Sequence, residues 1–84
     1  MRKKKIFRVL TFHTTHDAMA METYCGDHGI PGRLIPIPGE LSAGCGLAWR
    51  MEPPDYERYR EQIETAGLPI EQSADVSLYV AVKS

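Results

Sequence analysis

Residues 36–48 read PIPGELSAGCGLA: an apolar run ends in prolines, a short polar loop follows, and a cysteine between two glycines precedes a second apolar run. Gly44 and Gly46 remove the side chains on either side of Cys45 and permit backbone angles that other residues resist. This pattern predicts a hairpin between two strands, with an accessible and reactive thiol at its tip. The segment leaves one alternative open, a glycine-rich turn in which Cys45 packs at the start of a strand.

Outward from this hairpin, the hydrophobic pattern predicts four strands and two helices. Branched and aromatic residues or strict alternation indicate the strands, and capping residues, proline and glycine indicate the ends of the helices. Thr14 or Thr15 is the expected N-cap of the first helix. The strands are expected at residues 5–12, 32–38, 47–51 and 75–82, and the helices from 15 to 26–29 and from 53 to 67.

Spacing within these elements predicts which side chains face the core. Helical periodicity groups Ala18, Met21, Cys25 and His28 on one face of the first helix. Alternation in the third strand puts Leu47, Trp49 and Met51 on one face, and in the last strand it puts Val76, Leu78, Val80 and Val82 inward.

The order strand, helix, strand, strand, helix, strand predicts an α+β fold, the ferredoxin-like split βαβ sandwich. Right-handed crossovers leave few alternatives. In this topology the first and third strands are antiparallel neighbours, and both helices cover one face of the sheet. The end of the first strand, the start of the first helix and the Cys45 hairpin should therefore lie at the same end of the molecule.

Length and composition limit the functions to consider. The 84 residues suit one domain, expected at residues 5–84 after a basic lead-in at 1–4. The net charge of −1 argues against nucleic-acid binding. No apolar run approaches the ~20 residues of a spanning helix, and the start lacks a signal-peptide pattern. With only two cysteines, we expect reduced thiols in a cytoplasmic protein that neither binds nor crosses a membrane.

The chemistry is expected at Cys45. A cysteine reacts as its thiolate, whose pKa is lowered by a helix N-terminus or a nearby cationic histidine. His16 is the expected proton acceptor, although His13 also qualifies, and Thr15 and Ser42 are expected hydrogen-bond donors to the sulfur or to a bound anion. The alternative is that the threonines cap a helix and the histidines are simply solvated.

Metal ligation and a disulfide are both disfavoured. Cys45, His13 and His16 lack the paired spacing of a zinc site, so we expect no metal and no cofactor. Cys25 lies on the order of 10–14 Å along the first helix, whereas a disulfide needs Cα atoms within ~7 Å. We expect Cys25 to serve helix packing.

Four segments taken together resemble a known bacterial family, the selenium/sulfur carrier protein-like family. They are TTHDA at 14–18, GIP at 29–31, RLIPIP at 33–38 and SAGCGLA at 42–48. The resemblance implies a carrier domain that holds sulfur or selenium on Cys45 as a persulfide or selenosulfide. The family usually has an arginine where this chain has Gly39, so Arg33 or Arg50 would have to replace it in holding an anion or a partner.

The leading hypothesis is therefore a non-enzymatic carrier. It receives sulfur or selenium from a desulfurase-type donor protein and passes it to an acceptor protein. The alternatives are a small anion- or ligand-binding regulatory module without thiol chemistry, and a thiol-dependent enzyme that uses Cys45 and His16. Ile6, Leu10 and Phe12 alternate with Phe7 and Val9, so both faces of the first strand are apolar, and the face without helices is available for a homodimer.

Overall fold

The computed structural model describes residues 2–41 and 45–81. The predicted α+β ferredoxin-like architecture is confirmed, with one antiparallel sheet in the order β2-β3-β1-β4. No helix in these described ranges is long and apolar enough to cross a membrane. The elements are β1 (Arg2–Thr11), α1 (Thr15–His28), β2 (Arg33–Pro36), β3 (Leu47–Met51), α2 (Pro53–Thr65) and β4 (Gln72–Ala81).

The first and last strands of the chain, β1 and β4, are longer than predicted. β1 begins at Arg2, so the basic residues 2–4, expected as a lead-in, pair with β4 instead. β4 begins at Gln72 rather than Asp75, and the predicted inward residue Val82 lies outside the described residues. The extra length arises because the two strands pair over their full extent, from Arg2 opposite Ala81 to Thr11 opposite Gln72.

Helix α1 begins and ends by local rules. The Thr14 side chain accepts a hydrogen bond from the Asp17 backbone N–H, which confirms Thr14 as the N-cap. Gly29 is the C-cap, with a left-handed φ of 67°. Gly26, predicted to help end the helix, lies within it.

The buried face of α1 was predicted correctly except for its last residue. Ala18, Met21 and Cys25 are fully buried. His28 is exposed, because its ring stacks on Tyr24 at a centroid distance of 4.0 Å instead of entering the core. In α2, proline stands at the first turn as expected, and Ile63 is buried in the core.

The covered face of the sheet, which we define as the face beneath α1 and α2, holds the larger apolar cluster. Leu10, Trp49 and Met51 from the strands meet Met21 from α1 and Ile63 from α2. Gly32 makes this packing close, because a Cβ atom there would lie 2.5 Å from Cε2 of the Trp49 indole.

The open face, which carries no helix, holds a second apolar cluster formed by Phe7, Val9, Ala48 and Val76. Leu78 and Val80 pack against this cluster, so β4 alternates as predicted but directs its valines away from the helices. The physical reason is register. Val76 pairs directly with Phe7, so both side chains lie on the face opposite Leu10.

Candidate functional site

The β2–β3 hairpin lies at the end of the sheet where β1 finishes and α1 begins. Ala48 is opposite Thr11 at the end of β1, and Pro36 is opposite Leu47 where β3 starts. The predicted convergence of the β1 end, the α1 start and the hairpin is therefore confirmed at the level of topology. The arrangement places Cys45 at the same end of the sheet as Thr14, the α1 N-cap.

The Cys45 side chain, however, is buried, and the expected exposed thiol is wrong. The residue is 8% exposed and belongs to the apolar cluster of the covered face. Its Sγ donates a hydrogen bond of 3.3 Å to the backbone oxygen of Leu47.

The reason for this burial is the alternation of β3. Leu47 and Trp49 belong to the covered-face cluster or pack against it, and continuing this period of two backwards places Cys45 on the same face. A hydrogen bond of 2.9 Å from the Ile37 N–H to the Gly46 oxygen continues the hairpin contact beyond the paired strand residues. The period-two pattern was visible in the sequence and is the signal that could have predicted a buried Cys45.

Gly46 and its neighbours bear on access to the sulfur. Gly46 does not have a positive φ, so the unusual backbone angle expected from its sequence is not needed there. A Cβ atom at Gly46 would meet no atom within 4 Å, which leaves open space next to Cys45 along the chain. The other predicted neighbours, Ser42 and Gly44, lie outside the described residues.

Thr15 and His16 occupy the first turn of α1 and are exposed. In the ranges that the structure describes, neither of them forms a hydrogen bond with Cys45, whose sulfur is bonded to Leu47. His16 instead borders a shallow groove of about 520 Å³, which Met19, Tyr24 and Leu68 also line. The supporting roles of Thr15 and His16 in thiol chemistry stay predictions.

His13, the second candidate proton acceptor, contacts Glu71 and not Cys45. Its Nδ1 lies 2.9 Å from Oε2 of Glu71, in the segment that leads into β4. Within residues 2–41 and 45–81, no three His, Cys, Asp or Glu side chains are grouped so that they would hold a metal ion.

The second thiol, Cys25, is a core residue, as predicted. It is fully buried on α1, and both cysteines are free. Burial disfavours the charged form of the sulfur and raises the pKa of the Cys25 thiol to about 11. A neutral, inaccessible thiol neither attacks a substrate nor resolves a disulfide at neutral pH.

Sequence reasoning considered Arg33 and Arg50 only as substitutes for an absent arginine and missed that they are neighbours. The ladder between β2 and β3 places them directly opposite each other. Cζ of Arg50 lies 4.4 Å from the centroid of the Phe7 ring, so the pair is on the open face. Only the register of the two strands reveals this arrangement.

Comparison with known proteins adds one finding. Residues 7–74 match the model of the family described as "Putative Se/S carrier protein-like". The match spans the region from β1 into β4 and includes Cys45. No curated protein and no solved structure gave a match.

Proposed function

Because the chain belongs to the selenium/sulfur carrier protein-like family, we propose that it holds a sulfane sulfur or selenium atom on Cys45 and passes it to an acceptor protein. The proposed partners are a desulfurase-type donor and that acceptor. The protein acts stoichiometrically, as a carrier and not as an enzyme. The observation that carries the proposal is a free cysteine within the matched region, in the β2–β3 hairpin at the end of the sheet where α1 begins.

The surroundings of Cys45 suit a carrier better than a catalyst. A persulfide is a reactive species, and its side reactions with water and soluble thiols decrease when it is excluded from solvent. At 8% exposure and within an apolar cluster, Cys45 offers this protection. The core thiol of Cys25 is held neutral by its raised pKa of about 11, so it does not compete to discharge the bound atom as a disulfide.

The transfer needs no external oxidant. The Cys45 thiolate attacks the outer sulfur of a persulfide on the donor, a new S–S bond forms at Cys45, and the donor cysteine leaves as a thiolate. The proton released by Cys45 compensates the donor thiolate. Delivery repeats the exchange, with the acceptor thiolate attacking the outer sulfur and Cys45 leaving.

Each step requires the Cys45 sulfur to be reached by a partner. In the free protein Sγ is hydrogen-bonded to the Leu47 oxygen and nearly enclosed. Loading must therefore break this hydrogen bond and expose Sγ, which we attribute to docking of the donor protein. We accordingly expect small alkylating reagents to modify Cys45 slowly in the free protein.

The test is intact-mass spectrometry after incubation with a cysteine desulfurase and cysteine. We expect the wild type to gain the mass of one sulfur atom, removable by a reducing agent. Cys45→Ala should lose this gain, and the matched variant Cys25→Ala should retain it. Equal labelling of Cys45→Ala, or no labelling of a folded wild type, would end the proposal.

The burial of Cys45 favours one second candidate, a small ligand-binding regulatory module without thiol chemistry. In that case the cysteine is a packing residue, consistent with its place in the apolar cluster. A homodimer through the open face remains part of either proposal. The discriminating result is ligand binding or dimerisation that persists unchanged in Cys45→Ala together with no sulfur loading of the wild type.

A further inference from the structure

Two arginines lie next to each other on the open face, and repulsion between their charges lowers the stability of the sheet. Arg33 of β2 and Arg50 of β3 are direct cross-strand partners in an antiparallel pair. Side chains in such pairs lie on the same face with Cβ atoms about 4.5–5.5 Å apart, and like charges there destabilise the sheet. We therefore expect the arginine pair to have a function that outweighs this loss of stability.

Ion pairs in the described part of the chain leave these two arginines without an acidic partner. Neither Arg33 nor Arg50 forms an ion pair there, whereas Arg8 is 2.8 Å from Asp75 and Lys5 pairs with Glu52. The Arg50 guanidinium instead lies over the Phe7 ring, whose centroid Lys5 Nζ also approaches at 5.5 Å. The ring therefore holds one guanidinium in place without neutralising its charge.

The strand residues around the pair share its sign. Alternation and register assign Lys3, Lys5, Arg33 and Arg50 to the open face, and they assign no acidic strand residue to it in the described ranges. The charged strand residues of this face are thus all basic, and Glu52, which follows β3, pairs with Lys5 and not with either arginine.

A concavity of about 300 Å³ adjoins the arginines and provides room for a small ligand. Phe7, Gly32, Arg33 and Arg50 line it, and Glu52 and Asp55 also contribute. These two carboxylates would repel the successive phosphates of a nucleic acid or another long polyanion. The combination favours a compact ligand that carries one or two negative charges.

We propose that Arg33 and Arg50 bind a small oxyanion of the phosphate, sulfate or selenite class on the open face. Guanidinium groups match such oxygens with paired N–H donors, and the anion relieves the repulsion between the two arginines. Arg50 lies three residues along β3 from Leu47, about 10 Å at strand spacing, so this site is separate from Cys45. The inference goes beyond the carrier function and does not depend on it.

The test is a titration of the full chain with inorganic phosphate, sulfate or selenite, followed by NMR at constant ionic strength maintained with sodium chloride. We expect saturable shifts at the Arg33 and Arg50 guanidinium signals and at the Gly32 amide. Arg33→Gln and Arg50→Gln should each weaken binding about tenfold or more, because a hydrogen bond to a charged group is lost.

The matched control is Arg58→Gln. Arg58 also has its guanidinium over an aromatic ring, that of Tyr59 at 5.4 Å, but it lies on α2. This variant should bind each anion as the wild type does. Arg33→Gln should also unfold at the same or a higher urea concentration, because a like-charge pair is removed.

Unchanged affinity in both variants at the pair, or shifts spread evenly over all basic residues, would overturn the proposal. So would loss of stability in Arg33→Gln, which would indicate a structural role for that arginine. Cys45→Ala should retain anion binding, so failure of the oxyanion site and failure of sulfur loading are distinguishable.

Discussion

The two faces of the sheet use the same four strands but bury their apolar side chains differently. On the covered face, α1 and α2 enclose residues such as Leu10 and Met21 completely. On the open face, Phe7 and Val9 are buried by neighbouring strands and by Leu41, while Leu78 stays partly exposed. The difference predicts that the apolar cluster under the helices contributes more to stability than the cluster on the open face.

The largest expected effect compares one substitution on each face. Leu10→Ala should lower the free energy of unfolding by about 3 kcal/mol, because it leaves a cavity in an enclosed core. Leu78→Ala, on the partly exposed edge strand β4, should lower it by about 1 kcal/mol. Urea denaturation of both variants measures these changes. Equal losses, with a midpoint that rises with protein concentration, would contradict the comparison and indicate that a second copy covers the open face.

An intermediate effect is expected at Gly32, which lines the concavity beside the arginines and packs against Trp49 of the covered face. Its φ of 152° is unfavourable for other residues, and an added Cβ would lie 2.5 Å from the Trp49 ring on the covered face. Gly32→Ala should therefore lower the free energy of unfolding by about 2 kcal/mol.

The matched control is Gly39→Ala, where a Cβ would meet no atom within 4 Å. This change should stay within about 0.5 kcal/mol of the wild type by thermal or urea unfolding. A neutral Gly32→Ala would mean that the Trp49 ring has room to shift, and that the covered face is less tightly packed than the structure indicates.

The smallest expected effect is a pH dependence of the free energy of unfolding that arises from Cys25 in the covered-face cluster. Burial raises the pKa of the Cys25 thiol from 9.0 to about 11. Above pH 9 the unfolded chain loses this proton while the folded chain keeps it, so the free energy of unfolding falls as pH rises towards 11. At pH 10 the loss should be about 1 kcal/mol relative to pH 8.

Cys25→Ala should remove this component, so the difference between its pH profile and that of the wild type isolates the thiol. Urea unfolding at pH 8, 9 and 10 provides the measurement. Parallel profiles for the two proteins would show that the folded and unfolded states titrate Cys25 alike, and that its side chain is not shielded from water.

Much of the fold could be predicted because its signals are local. Thr14 and Gly29 bound α1 through capping geometry that neighbouring residues determine. The prolines of residues 36–38 indicated an edge strand, and β2 is at the edge of the sheet. The order of elements then left few topologies, so the shared end of β1, α1 and the hairpin followed from sequence.

The sequence by itself thus determined the order of elements, the helix ends, the packing role of Cys25 and the membership of the selenium/sulfur carrier protein-like family. Only the tertiary structure decided that Cys45 is buried, that the β4 valines point away from the helices, and that Arg33 stands beside Arg50. Alternation divides the side chains of a strand into two sets but does not say which set meets the helices. Pairing register and helix placement settle that choice, and both depend on contacts between residues far apart in the chain.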